Sequence, residues 1–558
     1  MSPRGRGAPT PRRDGPFRRR GAEGPGGWLL YNGRVLDAAR ARRAAPHPEA
    51  VLVRGGLIEA AGPLGELRRR AGRGVEPFDL RGGTLTPGFV DAHIHLITWI
   101  RALREARFEK GQTVEELERV VRARERALRP GEWITVRGWV PRDWDATLLV
   151  RSTLDRVAPL HPLVLYAADG HSVWANGAAL AAAGIDARAP VSSGGVIRRD
   201  ASGAPTGHLI EEAANLLRPH VPRLGDPQVE LRDAVARARA LGLTSAHDFD
   251  RAATWRAAQD LDREGRLGLR LLLSVPVASL GAAEALGLRA GFGSALLRVG
   301  PVKMFADGTL GSATALLEEP YEGGELARGI EVTPAAELAR QCGEAIRAGL
   351  SVAIHAIGDR AVRHALDAIE AAQAGSVRFP GPPRVEHIQL VRAEDLPRFR
   401  ALGTLASVQP VHQLTDRDVA RRYWGPRVDR SYAWRSLLRS RARLIFGSDA
   451  PFDRAGPLLA LFAALHRREP GEGSQSAYFS EQGLTLSQAL RAHCETPHLA
   501  AGWGLPLGRI APGYGADLVA FSHDLRDALR PETPVSDLAA VRPRATWVAG
   551  GFAAHARS

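Results

Sequence analysis

The segment FVDAHIHL, which runs from Phe89 to Leu96, places two histidines two positions apart inside an otherwise apolar run. Side chains of a β-strand alternate between its two faces, so Asp91, His93 and His95 would point the same way. Imidazoles crowded on one buried face either belong to a hydrogen-bonded polar network or bind a shared metal ion. This segment alone leaves both interpretations open.

Other residues that could bind a metal ion end further strand-like runs. They are Lys303 in RVGPVKMFADG, His355 in LSVAIHAIGD, His387 in RVEHIQL and Asp449 in ARLIFGSDAP. Histidines and carboxylates without thiolates are typical ligands of a divalent metal such as zinc, and the set is large enough for one or two ions. Packing alone explains such a convergence poorly, so the pattern favours a metal site.

Lysine is the unusual member of this set, because a cationic amine repels metal ions. Of the 75 basic residues, only Lys110 and Lys303 are lysine, and the rest are arginine. A lysine can lose its proton, whereas an arginine effectively cannot. The neutral amine could react with CO2 to give an anionic carbamate that bridges two ions. Such chemistry would explain why position 303 is not an arginine, whereas Lys110 lies in the polar segment FEKGQT.

The segments that carry these residues predict a barrel. Eight strand-like runs recur along the chain, from GFVDAHIHL to ARLIFGSDAP, and most are separated by helical patterns. In DRAVRHALDAIEAAQ, one apolar stripe is formed by Val362, Ala365, Leu366 and Ile369. Strands that alternate with helices predict an α/β fold of the (β/α)8 TIM-barrel type, in which chemistry lies at the carboxyl ends of the strands.

The remaining segments predict additions to this barrel, which itself is expected at residues 87–500. About 130 residues separate the first strand from the second, too many for a loop, and they predict an inserted capping lobe at residues 106–235. Short strand-like runs at residues 28–86 and 501–558 predict a small β-sandwich built from both chain ends. Residues 1–27, rich in arginine, glycine and proline, predict a disordered tail.

Composition indicates a globular protein, with 44% hydrophobic and 24% charged residues. The net charge of +14 comes from arginines spread along the chain, so it does not predict specific nucleic-acid binding. No apolar run approaches the roughly 20 residues of a membrane span. The two cysteines, Cys342 and Cys494, give no disulfide framework, which together with the lack of a secretory signal predicts a cytoplasmic protein. Assembly into a homo-oligomer is left open.

Several longer motifs are similar to those of a known family. In family order they are TPGFVDAHIHL, ADGHSVWANGAAL, VKMFADGTLGSATALL, VAIHAIGDRAV, RVEHIQL, ASVQPVHQLTD, FGSDAPF and GRIAPGYGADLVAF. The chain thereby resembles the amidohydrolase superfamily, and specifically amidohydrolase family 3, the YtcJ-like metal-dependent hydrolases. The resemblance covers about residues 28 to 552.

The resemblance implies a hydrolase with one or two divalent metal ions per chain. The family's metal ligands match His93, His95, Lys303, His355, His387 and Asp449. Lys303 matches a lysine that is carboxylated in many relatives, and Asp449 matches the aspartate that binds one metal and handles the catalytic proton. Relatives differ in the number of metals and in the lysine modification, so both points stay open.

These features together predict an enzyme that cleaves a non-peptide, amide-type C–N bond of a small molecule with metal-activated water. Asp449 would take the proton from the water and return it to the leaving nitrogen. The same site could instead serve ester, lactone or phosphoester hydrolysis, or isomerisation. A metal-bearing protein that binds a ligand without turnover is the non-enzymatic alternative, since a fold does not determine a function.

Candidate substrate-binding residues lie on loops near the predicted site. They are Asp169 and His171 in ADGHS, Asp307 in FADGTLGS and His412 in QPVHQLTD. His208 and Glu211 in TGHLIEEA are instead expected on a helix of the capping lobe. His493, Cys494 and His498 are metal-binding residue types, but their segment predicts a helix and a turn with a structural role.

Overall fold

A computed structural model describes residues 26–42, 47–108, 113–191, 194–222, 225–323, 327–374 and 378–555. The arginine-rich tail predicted at residues 1–27 lies outside the described residues, except for Gly26 and Gly27. Lys110 also lies outside the described residues. The first described strand begins at Gly27.

Eight parallel strands form the central sheet, and they follow one another in chain order. They are β1 (Phe89–Ile94), β2 (Leu243–Asp248), β3 (Arg270–Pro276), β4 (Leu297–Phe305), β5 (Val352–Ala356), β6 (Arg384–His387), β7 (Leu405–Val408) and β8 (Arg443–Phe446). Backbone hydrogen bonds join the end of β8 to β1, from Asp449 N to His93 O (2.7 Å) and from His95 N to Ala450 O (3.0 Å). The predicted α/β barrel of the TIM type is therefore confirmed.

Helices surround this barrel, and their sequences explain where they begin and what they bury. Their bounds are Leu96–Ala102, Pro227–Ala240, Ala252–Arg263, Leu280–Ala285, Ala335–Arg347, Asp359–Ala372, Leu396–Ala401, His412–Trp424, Trp434–Arg439, Pro457–His466 and Leu486–Leu490. The Asp226 carboxylate accepts a hydrogen bond from Gln228 N and caps the second of these helices. In Asp359–Ala372, Val362, Ala365, Leu366 and Ile369 are buried, as the stripe predicts.

Between β1 and β2 the chain forms a separate six-stranded sheet. In spatial order its strands are Gly195–Arg199, Pro205–Glu211, Ser172–Ala175, Leu163–Ala167, Ile134–Trp139 and Ala106–Arg107. Helices of the same segment are Val114–Glu125, Arg151–Val157, Gly177–Ala182 and Ala214–Leu217. The large side chains of Trp139, Leu165 and Trp174 lie in the buried core of this sheet.

The prediction that His208 and Glu211 lie on a helix is wrong. Both lie on the strand Pro205–Glu211, which pairs with a neighbouring strand on each side. Gly207 in this strand has a φ of +98°, which no α-helix accommodates. The β-branched residues Thr206 and Ile210 of this strand favour the extended form.

Two smaller sheets contain strands from near both chain ends. The four-stranded sheet has the order Leu57–Gly62, Ala50–Arg54, Gly27–Tyr31 and Val75–Asp79, and the five-stranded sheet has the order Arg34–Val35, Thr84–Pro87, Leu518–Phe521, Pro543–Val548 and Gly551–Ala554. Short helices accompany them at Ala38–Arg42, Leu64–Ala71, Leu525–Ala528 and Val535–Ala540. Trp28 and Trp547, one from each sheet, lie in one buried cluster with ring centroids 5.9 Å apart.

Helix length and polarity bear on membrane insertion. Within the described ranges, none of the helices combines the length and the apolar composition that crossing a lipid bilayer requires.

Candidate metal centre

The predicted ligand residues lie around one end of the barrel. His93 lies in β1, Lys303 in β4, His355 in β5 and His387 at the end of β6, while His95 and Asp449 follow β1 and β8. Carboxyl ends of parallel barrel strands meet on one face, which brings residues from distant parts of the chain together.

Ligand-type atoms form two groups that share Asp449. In the first, Oδ1 of Asp449 lies 3.6 Å from Nε2 of His93 and 3.4 Å from Nε2 of His95. In the second, Oδ2 lies 3.8 Å from Nε2 of His412, and His387 completes the group. Within each group the ligand atoms lie within 4.8 Å of one another. Nitrogen and carboxylate oxygen atoms at this spacing suit a divalent ion.

Lys303 and His355 lie beside these two groups without belonging to either. The ring centroid of His355 is 4.5 Å from that of His387. The amine nitrogen of Lys303 lies 4.9 Å from the ring centroids of Phe249 and of Phe305. Burial lowers the pKa of Lys303 to about 8, although nearby carboxylates oppose this shift.

Three histidines of the site are each held at one ring nitrogen by an oxygen that can only accept. The pairs are His93 Nδ1 with Glu386 Oε2 (2.7 Å), His387 Nδ1 with Gln409 Oε1 (2.9 Å), and His355 Nε2 with the carbonyl of Gly308 (3.0 Å). The bonded nitrogen must therefore carry the proton, and the other ring nitrogen presents its lone pair. Metal binding by a histidine requires that lone pair.

The charges of the site are set by burial and by neighbouring groups. Burial disfavours the protonated form of His95, but the carboxylates of Asp250 and Asp449 outweigh this effect and raise its pKa to about 9. Burial and the Lys303 amine lower the pKa of His93 to about 4. Burial opposes ionisation of Asp449, yet the surrounding imidazoles hold the pKa of this carboxyl well below its ordinary value. The shared ligand is thus an ionised carboxylate, which attracts a cation.

Backbone geometry at the end of β6 brings neighbouring side chains to the site. Arg384 and Glu386 are two positions apart and share one face, with Nε of Arg384 2.6 Å from Oε1 of Glu386. A regular strand would turn His387 to the opposite face. His387 instead has a φ of +75°, which departs from the extended conformation and so changes the direction of this side chain. Left-handed backbone at a residue other than glycine is concentrated at functional sites.

The candidate substrate-binding residues occupy different positions. Oδ2 of Asp169 accepts hydrogen bonds from Thr309 Oγ1 (2.8 Å) and Ser312 Oγ (2.6 Å), so it fixes a neighbouring loop. The His171 ring lies 5.2 Å from the His355 ring, centroid to centroid. His412 begins the helix His412–Trp424 and belongs to the second ligand group. His171 and His412 therefore lie against the candidate metal centre.

Asp307 is fully buried behind His355. Its carboxylate accepts backbone hydrogen bonds from Leu316 (2.8 Å), Ile357 (3.0 Å) and Gly358 (2.8 Å). Burial raises its pKa to about 8, although these hydrogen bonds oppose the shift. Since both carboxylate oxygens are engaged by the backbone, this arrangement favours a structural role for Asp307 over the predicted substrate contact.

The late His493, Cys494 and His498 segment adds no ligand group. Nδ1 of His493 lies 2.9 Å from the carbonyl oxygen of Val90, and both groups of metal-ligand type found in the described part of the chain lie at the barrel site instead.

Sequence reasoning missed the residues that hold the histidines. Glu386 directly precedes His387 in RVEH, and Gln409 lies in SVQP, but no spacing rule connects either of them to the ring that it contacts. Asp250 follows β2 in HDFD, and its Oδ1 lies 3.7 Å from Nδ1 of His95. The two aspartates of HDFD, Asp248 and Asp250, were the sequence signal that could have pointed to this contact.

A family model described as an amidohydrolase family matches residues 76–553 of the chain. Among curated proteins, the Arabidopsis thaliana protein LONG AFTER FAR-RED 3 is 32% identical over 92% of this chain and 90% of its own length. The putative amidohydrolase YtcJ of Bacillus subtilis is 30% identical over 85% of this chain and 91% of its own. N-substituted formamide deformylase of Arthrobacter pascens is 29% identical over 87% and 92%, respectively.

A solved structure agrees with the fold. An uncharacterized metal-dependent hydrolase from Pyrococcus horikoshii OT3 superposes with a TM-score of 0.70 at 27% sequence identity, covering 88% of this chain and 96% of the other.

Proposed function

The chain belongs to the amidohydrolase family, and from this premise we propose that it is a metal-dependent hydrolase of a non-peptide, amide-type carbon–nitrogen bond. The observation that carries the proposal is the pair of ligand groups that share Asp449. Relatives named as an amidohydrolase and as a formamide deformylase support the choice of bond. The substrate would be a small molecule.

The proposed metal ligands are the six that the sequence predicts. They are His93, His95, Lys303, His355, His387 and Asp449, with His412 close enough to join the second group. Imidazole nitrogen with carboxylate oxygen, and no thiolate, suits zinc in one or two ions per chain. The hydrogen-bonded tautomers fit this proposal, because each leaves a lone pair free on the ring nitrogen that has no acceptor partner.

When bound, the metal would supply Lewis acidity that activates a water molecule and polarises the substrate carbonyl. Asp449 would hold the proton released by the attacking water and return it to the leaving nitrogen, since an amide nitrogen leaves poorly unless it is protonated. Its ionised state in the folded protein makes it able to accept that proton. Phe249 stacks on His93, with ring centroids 4.1 Å apart, and would limit the access of bulk water to this side.

A carbamate on Lys303 forms part of the proposal. Formation requires the neutral amine, and burial brings the Lys303 pKa down to about 8, so that a substantial neutral fraction exists near neutral pH. The resulting anion would replace a positive charge with a negative one beside the imidazoles of His93 and His355. That exchange would favour a second cation.

Replacement of Asp449 by Asn tests the role of this carboxylate. Asn keeps the size and one acceptor oxygen but cannot take a proton, so turnover should fall by about 10²- to 10⁴-fold, while most of the bound metal is retained. Activity assays beside elemental metal analysis measure both quantities. Asp418→Asn, at an exposed carboxylate paired with Arg421, is the matched control. Near-normal turnover of the Asp449→Asn protein would refute the assigned role.

A substrate panel tests the reaction class. Zinc-reconstituted and chelator-treated protein should be compared on small amides, formamides, cyclic imides and esters. We expect zinc-dependent hydrolysis of one or more amide-type members. Cleavage of esters alone would replace the proposed bond with the ester alternative, and inactivity toward the whole panel with metal bound would favour a ligand-binding protein.

We also propose a division of the chain around this site. The two small sheets would form a β-sandwich from residues 28–86 and 501–558, and the six-stranded sheet would belong to a lobe at 106–235 that covers the barrel. His171, which comes from that segment and lies against His355, supports a lobe that contributes to the substrate cavity.

A further inference from the structure

Arg218 is linked to the candidate metal centre through the segment that carries His171. It follows the helix Ala214–Leu217, and its Nη2 donates a hydrogen bond of 2.7 Å to the carbonyl oxygen of Gly170. That carbonyl belongs to the peptide bond between Gly170 and His171. The His171 ring in turn lies 5.2 Å from the ring of His355, centroid to centroid. The guanidinium therefore sits one residue away from a side chain that contacts the metal-site histidines.

Among the described residues, this guanidinium has no direct ion pair with a carboxylate. In the described ranges, Arg218 forms no ion pair with an aspartate or glutamate, and its buried Nε has no hydrogen-bond partner. Glu211 favours the charged form of Arg218 without a direct ion pair, and its carboxylate is already engaged by Nδ1 of His171 (2.7 Å) and by Thr314 Oγ1 (2.5 Å). A buried donor without a hydrogen-bond partner is costly, so the Nε of Arg218 is expected to have an acceptor when a ligand is bound.

The charged groups around Arg218 are of both signs. Burial lowers the pKa of Arg218, and the neighbouring cations Arg251 and Arg137 act in the same direction, whereas Tyr166 and Glu211 oppose the shift. Arg137 has its own partner in Glu105 and stacks over the Tyr166 ring at 4.7 Å. Arg137 is thus already engaged, whereas the Nε of Arg218 has no partner.

We propose that Arg218 binds a carboxylate group of the substrate, so that the enzyme acts on amides that carry a negative charge. The proposal rests on the proposed hydrolase function and narrows its substrate class. A planar guanidinium matches a carboxylate with two parallel hydrogen bonds, and the Nη2 bond to Gly170 fixes its orientation. The carboxylate would supply the direct ion pair that the described residues do not give to Arg218.

Matched pairs of charged and uncharged compounds test this proposal. The probes are N-formylalanine with N-formylalaninamide, and hippurate with hippuramide. Zinc-loaded Asp449→Asn protein, which should bind without turnover, is titrated with each probe by calorimetry, and zinc-loaded wild type is assayed for hydrolysis. We expect at least one carboxylate to bind on the order of 100-fold more tightly than its amide.

Variants of Arg218 assign that preference to a residue. Arg218→Met should remove the preference for the carboxylate, raising its Kd about 100-fold while leaving the amide unchanged. Arg218→Lys keeps the charge but not the planar guanidinium, so the Kd of the carboxylate should rise about tenfold. Arg104→Lys, at an exposed ion pair with Asp233, should change neither the Kd of the carboxylate nor that of the amide. If Arg218→Met fails to fold, the comparison of wild type with Arg218→Lys decides whether Arg218 causes the preference for the carboxylate.

The outcomes separate this proposal from the reaction class. Hydrolysis of amides with equal affinity for charged and uncharged probes, or with no effect of Arg218→Lys and Arg218→Met, would overturn the role of Arg218 and leave the hydrolase standing. Binding of a carboxylate that depends on Arg218, without turnover of any probe by wild type, would support Arg218 and count against the hydrolase. A wild-type protein that binds none of the four probes would also overturn the Arg218 proposal.

Discussion

Each histidine of the candidate centre depends on a second residue that it touches. His93 is fixed through Glu386, and Glu386 is fixed through Arg384, whose Nη2 also donates to the carbonyl of Ala92 (2.6 Å) and whose Nη1 lies 2.9 Å from Nδ1 of His247. Arg384 and Glu386 are both completely buried. Burial opposes ionisation of Glu386, but Arg384 and His93 hold its pKa far below the ordinary value. The pair thus keeps one imidazole in one tautomer.

Glu386→Gln tests this arrangement. The amide can present an N–H as well as an oxygen to His93, and it no longer neutralises Arg384, so we expect zinc affinity to fall about 10- to 100-fold. Chelator competition measures the affinity, and thermal unfolding of the metal-free protein measures the fold. Glu386→Asp, which keeps the charge, should restore part of the affinity. A folded Glu386→Gln protein with unchanged zinc affinity would contradict the positioning role.

The proposed carbamate on Lys303 can be observed directly. Protein incubated with ¹³C-labelled bicarbonate should show a carbamate resonance in its ¹³C NMR spectrum, because the buried Lys303 amine has a pKa of about 8. Lys110→Arg is a matched control, since Lys110 is the other lysine of the chain, and it should keep the resonance. Lys303→Ala should abolish it and reduce zinc content. A resonance that survives Lys303→Ala would show that the carbamate lies elsewhere.

At the scale of elements, the position of the site follows from the barrel. Parallel strands place their carboxyl ends on one face, which is why His93, His355 and His387 could be predicted to converge from strand-like runs alone. The contact between His93 and Glu386 could not, because it joins residues 293 positions apart on strands that are not neighbours in the sheet. The position of His208 on a strand could not be predicted either, because it depends on pairing with Trp174 in another strand of the six-stranded sheet.

Gly447 lies where β8 meets β1, in close contact with His93, so a side chain added there should disturb the fold and the site. A Cβ atom added there would lie 2.5 Å from the backbone nitrogen of His93 and 2.6 Å from its Cβ. Gly447→Ala should therefore cost about 1–3 kcal/mol of unfolding free energy and weaken zinc binding by displacing His93. Urea unfolding measures the free energy of unfolding, and chelator competition measures the zinc affinity. Gly281→Ala, where a Cβ meets nothing within 4 Å, is the control and should be neutral or slightly stabilising. If Gly447→Ala and Gly281→Ala have the same unfolding free energy and zinc affinity, the predicted clash between position 447 and His93 is contradicted.

At the scale of the whole molecule, a buried ion pair joins the barrel to the sheet built from both chain ends. Arg270 begins β3 and Asp517 directly precedes the strand Leu518–Phe521, with Nε of Arg270 2.6 Å from Oδ2 of Asp517. Oδ1 of Asp517 also accepts a hydrogen bond of 2.8 Å from Ala549 N. The side chains are 0% and 2% exposed, so solvent cannot replace either partner.

Asp517→Ala should therefore destabilise the protein strongly. It leaves the Arg270 charge buried without a counterion, a change that costs about 3–5 kcal/mol of unfolding free energy. Replacing both residues, as Arg270→Met with Asp517→Leu, should cost less than the sum of the single changes, because neither charge is then stranded. Urea unfolding followed by tryptophan fluorescence measures Asp517→Ala, the double variant and the single changes Arg270→Met and Asp517→Leu. Asp233→Ala, at the exposed pair with Arg104, should lose at most about 1 kcal/mol. A similarly small loss for Asp517→Ala would show that the barrel and the small sheets do not depend on this pair.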